Sequence, residues 1–213
     1  MRKNGDVFPE GTARLIKAGA RIRFNLHYHS IGEEKIDQTE VGLVFYPKGY
    51  VPKYYIHASH TGENQDLDIP AGADNVRSDG YTRLLRNARV TSFQPHMHNR
   101  GKAMCMEAIY PDGKVEPLSC VNNYKFGWHI VYNYADEAQP LLPAGTMVHV
   151  IAWHDNSAGN RYNPDPRNWV GFGQRTIDDM SFAWVNYVWL TDEDFKQQAD
   201  ERRVKQQQAR STN

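Results

Sequence analysis

Apolar and polar residues alternate with a period of two along much of this chain, in short runs set off by Gly and Pro. Such alternation places successive side chains on opposite faces of an extended strand, with one face able to bury itself. Strands are predicted on this basis at 21–29, 41–46, 54–59, 88–94, 103–110, 129–134, 147–153 and 182–190. No long amphipathic helical pattern interrupts them. Short strands at this spacing predict an all-β chain, an antiparallel β-sandwich of jelly-roll type, rather than any βαβ arrangement.

One phrase recurs three times, at Phe8-Pro9-Glu10-Gly11-Thr12, Ile69-Pro70-Ala71-Gly72 and Leu142-Pro143-Ala144-Gly145-Thr146. Pro presets φ and a Gly two positions later tolerates positive φ, so each is read as a turn leading into a strand. Polar residues and two glycines between Gly72 and Gly80 mark a seam. The predicted division is therefore 1–76, a partial amino-terminal β domain; 77–190, a complete β-sandwich; and 191–213, a polar tail, helical or disordered.

Composition narrows the partners. Lys plus Arg equals Asp plus Glu at 25 each, so no net field draws the chain to nucleic acid or an anionic surface. No apolar run approaches the roughly 18 residues of a membrane span, and Met1 to Gly11 lacks the apolar stretch of a signal peptide. A small-molecule partner is expected. Cys105 and Cys120 flank the turn Tyr110-Pro111-Asp112-Gly113-Lys114 almost symmetrically. A disulfide across a hairpin and two buried thiols both fit that spacing, and two cysteines do not fix the redox compartment.

The sharpest local feature is Phe93-Gln94-Pro95-His96-Met97-His98-Asn99-Arg100-Gly101. Residues i and i+2 share a strand face, so the His-x-His imidazoles can clasp one metal, whether copper, zinc, iron or nickel. Two surface histidines would give the same pattern. Further along, Trp153-His154-Asp155-Asn156-Ser157 opens a long Asn, Pro and Gly loop that returns through Arg175-Thr176-Ile177-Asp178-Asp179-Met180.

Together, from about Phe8 to Leu190, these segments resemble the copper type II, ascorbate-dependent monooxygenases, the family of peptidylglycine α-hydroxylating monooxygenase and dopamine β-monooxygenase, and still more their bacterial relatives. The resemblance implies a complete copper domain at 77–190, preceded by part of a second β domain. His96, His98 and Met180 match the His-x-His pair and the thioether that bind the copper at which dioxygen is activated. A thioether favours Cu(I), the state that must meet dioxygen. The implied activity is C–H hydroxylation of a small molecule using dioxygen and a reductant such as ascorbate, with copper as cofactor.

His27 matches one ligand of the family's second, electron-transferring copper, and His29 shares its strand face. The adjacent His-His pair that completes that site in the family is missing. Either the chain is the carboxy-terminal part of a longer protein, or it is a copper-binding module without the electron-transfer copper. Gln94, Phe182 and Trp184 stand where peptide-amidating members clamp a glycine carboxylate with Arg, Asn and Tyr, so a more apolar pocket is expected. Asn156 and Ser157 are read as loop-shaping side chains bonding their own backbone, and His154 as solvent-facing or hydrogen-bonded. His57, His60, His129 and His149 match no ligand position. Family relatives are mostly secreted, which implies a periplasmic or extracellular location.

Overall fold

Pairing of the alternating segments gives two main sheets. In the computed structural model, which describes residues 6, 8–28 and 31–211, the chain runs β1 (Thr12–Ala13), β2 (Tyr54–Thr61), β3 (Asp68–Ile69), β4 (Val76–Arg83), β5 (Asn87–His96), β6 (Gly101–Ile109) and β7 (Val115–Val121). It continues through β8 (Tyr132–Asn133), a 3-10 turn (Asp136–Ala138), β9 (Leu141–Leu142), β10 (Met147–His154), β11 (Val170–Gly171), β12 (Phe182–Leu190) and α1 (Asp192–Ser211). A six-stranded sheet has the order β1-β2-β12-β5-β8, with β9 also on β5; a four-stranded sheet has the order β4-β10-β6-β7; β3 and β11 form a small third ladder. All described pairs of the two main sheets are antiparallel except β1 with β2. The chain is an all-β sandwich with one α-helix among the described residues.

The core lies between the two sheets. Phe93, Ala183, Val185 and Tyr187 on one side meet Met104, Met106, Val148 and Val150 on the other. Residues between these positions face outward, the period-two division that lets one face of a strand leave water. A bulge interrupts β5: Val90 pairs with Tyr187 and Ser92 with Asn186, leaving Thr91 unmatched. Beyond Thr91 the facing of β5 reverses, so that Phe93 enters the core while Gln94 and His96 turn to the outer face.

The repeated Pro-x-Gly phrases all form turns. Gly11, Gly72 and Gly145 have φ of 71°, 72° and 89°. The N–H groups of Thr12, Ala73 and Thr146 close them onto the carbonyls of Pro9, Pro70 and Pro143.

Cys105 and Cys120 pair directly across β6 and β7 and form a disulfide. Closing a loop of 15 residues stabilises the fold by about 3 kcal/mol in the chain-entropy account. The polar tail is helical from Asp192 to Ser211 because Thr191 Oγ1 caps it by accepting from the Asp194 N–H, and Asp192, Glu193 and Asp194 fill its first turn. Phe195 then covers Ile56, Val188 and Leu190 on the outer face of the six-stranded sheet. No described helix is long and apolar enough to cross a membrane.

The amino-terminal third differs from the expectation. Residues 14–53 carry no strand among the described residues, although strands were predicted at 21–29 and 41–46. The alternation is present, and Ile22, Phe24, Leu43 and Phe45 stand exposed, but a strand exists only where a neighbouring edge accepts its N–H and C=O groups. The seam expected after residue 76 also moves. β4 begins at Val76 and is laddered to β10 along its whole length, while β2 is laddered to β12, so 54–69 belongs to the same sandwich as the rest.

Candidate metal centre

β5 ends at His96, and the chain then turns so that the His98 carbonyl accepts from the Gly101 N–H. The anchor of this turn is the fully buried Asp179. Its Oδ1 accepts the backbone N–H of His98 at 2.8 Å and of Met180 at 2.9 Å, and its Oδ2 that of Arg100 at 3.1 Å. One carboxylate thus fixes the backbone of His98 and Met180 together. His154 Nε2 lies 3.5 Å from Asp179 Oδ1 and 3.3 Å from the Met180 carbonyl. Burial alone would raise the Asp179 pKa; His154 and the His98 N–H outweigh it and hold the carboxyl below its ordinary value.

The loop after β10 is bound to the same turn. Asn156 is fully buried; its Oδ1 accepts from Arg100 Nε at 2.7 Å and from Asn163 Nδ2 at 2.9 Å, and its Nδ2 donates to the carbonyls of Pro70 and Asn168. Asn156 therefore joins distant segments instead of bonding its own backbone. Ser157 does act locally, accepting from the Gly159 N–H. His154 is hydrogen-bonded but wholly buried, not solvent-facing.

On the outer face of the six-stranded sheet, Phe182 pairs with His96 and Trp184 with Gln94. The Phe182 ring is stacked between His96, at 4.5 Å, and His60 of β2, at 4.3 Å; His60 also meets Trp184 edge-on at 4.0 Å. The His96 and His98 rings lie 5.4 Å apart. His98 Nδ1 is 3.0 Å from the Asp178 carbonyl, which can only accept, so Nδ1 carries the proton and Nε2 keeps a bare lone pair. Of the expected pocket residues, Phe182 stacks on His96 and Trp184 packs edge-on against Phe182. Gln94 is buried, and its amide donates to the His129 carbonyl at 3.3 Å.

Sequence reasoning gave no role to His60 or His129, yet both stand beside this face; the His129 ring is 5.1 Å from that of His96. His129 opens the predicted strand 129–134, of which only Tyr132–Asn133 finds a partner edge, so its alternation gave no guide to where its ring lies. His149 is elsewhere, buried between Glu107 and Asp79 on the other sheet, and His57 is exposed near Trp189. His27 is exposed and in no strand; His29 lies outside the described residues.

Among the described residues no group of three or more His, Cys, Asp or Glu stands ready to hold a metal. The expected set is of another kind, His96 and His98 with the thioether of the half-buried Met180. Two imidazoles and a thioether suit a soft ion such as Cu(I). A cavity of about 760 Å³ opens beside Arg100 and Asp178, with Asp68, Trp169 and Phe172 among its walls and no histidine in them.

Burial, reinforced by His129 and His98, pushes the His96 pKa down to about 3, and burial pushes His129 down to about 4. Both rings stay neutral in the fold at pH values where the unfolded chain, titrating near 6.5, takes up protons. The metal-free protein is therefore expected to be most stable above about pH 6.5 and to lose stability as pH falls towards 4. Urea unfolding at pH 7.5 and pH 5 with a chelator checks this, and equal midpoints would contradict it.

No protein-family model matches the chain, and no curated protein matches it significantly. Among solved structures, the infectious bursal disease virus VP2 subviral particle aligns at 8% identity and a TM-score of 0.30, over 70% of this chain and 36% of that one. The same virus's Gx strain aligns at 10% identity and 0.31, over 70% and 35%. The chain spans about a third of the length of these proteins. Matches this shallow carry no information on function, and the architecture rests on the strand pairing itself.

Proposed function

We propose that the chain binds copper through His96, His98 and Met180 and serves C–H hydroxylation of a small, largely apolar molecule with dioxygen and a reductant such as ascorbate, as a member or part of the monooxygenase family it resembles. The observation that carries this reading is the buried Asp179, which anchors His98 and Met180 on one oxygen beside His96. Bound copper would supply the one-electron chemistry and dioxygen activation that these side chains lack.

The chain's own residues prepare the place for it. The Asp178 carbonyl sets the His98 tautomer, and stacking on Phe182 orients His96. Phe182, Trp184 and His60 form a ring-lined wall beside His96 that offers an apolar substrate a surface. With Gln94 committed to the His129 carbonyl and no guanidinium at that position, a neutral substrate is favoured over a carboxylate such as peptidylglycine. The disulfide supports a periplasmic or extracellular location, since such bonds persist in oxidising compartments.

A second reading is a copper-binding module that does not turn over. It is favoured by His27, exposed and outside any strand, where an electron-transferring copper would need assembled ligands.

Anaerobic Cu(I) titration with X-ray absorption on wild type and Met180→Ala tests the site. The expected result is one tight copper per chain with a sulfur scatterer that disappears in the variant. No tight copper, or copper without sulfur, would sink the assignment. Copper binding without dioxygen uptake in the presence of ascorbate and apolar test substrates would favour the module.

A further inference from the structure

We propose that His129 is a third imidazole donor of this metal centre, held ready by Tyr124. The proposal rests on the copper reading above and extends it to residues outside the expected ligand set.

The hydrogen bonds around Tyr124 have one consistent arrangement. Its hydroxyl oxygen lies 2.5 Å from the Met97 carbonyl, 2.5 Å from His129 Nε2 and 3.2 Å from the Met97 N–H. A phenol has one proton, and the carbonyl can only accept, so that proton goes to Met97. The remaining two contacts are satisfied only if the phenol oxygen accepts, from the Met97 N–H and from His129 Nε2–H. His129 therefore keeps its proton on Nε2 and presents Nδ1 as a bare lone pair. This is the tautomer logic of a metal ligand, in which one ring nitrogen is fixed by a hydrogen bond and the other is left to coordinate. His98 shows the same logic with its nitrogens exchanged, Nδ1 engaged and Nε2 bare.

Three features place His129 for this role. Its ring is 5.1 Å from His96, closer than the 5.4 Å between His96 and His98. Its backbone carbonyl is held by the buried Gln94 amide, two residues before His96 on the same strand. Tyr124, itself buried, ties it to Met97, the residue between the two expected ligands. Among the described residues the three rings do not converge on one point, so a bound ion would have to draw His129 Nδ1 towards His96 on its Tyr124 and Gln94 tethers.

The test is anaerobic Cu(I) titration and X-ray absorption on wild type, His129→Gln and Tyr124→Phe. Gln retains an amide donor for Tyr124, and Phe retains the buried ring. Imidazole scattering equivalent to three rings in wild type is expected, falling to two in His129→Gln. Copper affinity should drop at least tenfold in that variant and about tenfold in Tyr124→Phe, the order of loss seen when metal ligands or their hydrogen-bond partners are removed. Two imidazoles in wild type, with unchanged affinity and scattering in His129→Gln, would assign His129 to packing and leave the His96, His98, Met180 site standing. Absence of tight copper in wild type would overturn both readings together.

Discussion

Asp179→Asn is expected to destabilise the protein by about 3–5 kcal/mol, the range for leaving a buried charged network with one partner removed. The carboxylate is fully buried and accepts N–H groups on both oxygens, from His98 and Met180 on one and from Arg100 on the other. An amide keeps the shape but can accept on only one of its two atoms. Its NH2 group must face a backbone donor in either orientation. The loss should appear as a lower urea midpoint and, because the His98 turn loosens, as weaker copper binding. The neighbouring Asp178→Asn is the control: its carboxylate pairs with the exposed Arg175, and it touches His98 only through its backbone carbonyl, so less than about 1 kcal/mol is expected. Acid should imitate Asp179→Asn. Asp179 titrates below its ordinary 3.8, so its contribution is complete above that pH and fades as pH falls further, towards the folded-state value. Equal midpoints for the two variants would refute the anchoring role.

Gly80→Ala should cost about 3 kcal/mol or more, at the upper end of overpacking penalties. Here the chain leaving β2 passes against β4. A Cβ on Gly80 would stand 1.9 Å from the Gly62 carbonyl oxygen, which is backbone and cannot swing aside. Gly62 cannot retreat, for it holds φ at +63° and its own missing Cβ would strike Val150 at 2.5 Å. Its N–H is also bonded to Thr82 Oγ1. The substitution must force the two sheets apart, and thermal unfolding of Gly80→Ala beside an exposed control with unstrained backbone and open space, Gly42→Ala, measures the cost. A loss no larger than the control's would mean the crossing is looser than described.

The same crossing explains why part of the fold was hard to see in the sequence. The central strands were legible because 103–110 and 147–153 alternate between a buried and an outer face and 88–94 and 182–190 are rich in apolar residues, although the bulge at Thr91 left no mark in the pattern. β4 was not. Its inward positions are Ser78 and Gly80, kept small and unhydrophobic by the close approach of Gly62, so the stretch read as a polar seam. Conversely 21–29 and 41–46 carry a strand's alternation without any described neighbour to pair with. At the site, His96 and His98 were visible through their spacing, and Met180 through its acidic turn. Asp179 was visible only as part of that turn, since its role is to receive backbone groups, which have no sequence signature. His129 and Tyr124 reach the site across a loop, and nothing in their spacing from His96 marks that route.

The unmatched Thr91 has a wider consequence than a local bend. Strand facing is a matter of odd and even, and every residue of β5 after Thr91 takes the opposite parity from those before it. Were β5 to run on without the bulge, with Thr91 taken into the ladder, Gln94 and His96 would share the inward side with Ala88 and Val90, and the first histidine would point into the packed interior against the methionines of β6. Pairing Thr91 into the ladder would leave the His-x-His motif intact as text while turning its first imidazole inside out, whereas deleting Thr91 would keep that imidazole outward. In this molecule the reach of a metal-binding motif is set by one unpaired residue five positions upstream of it, and a search by motif alone would not notice the difference.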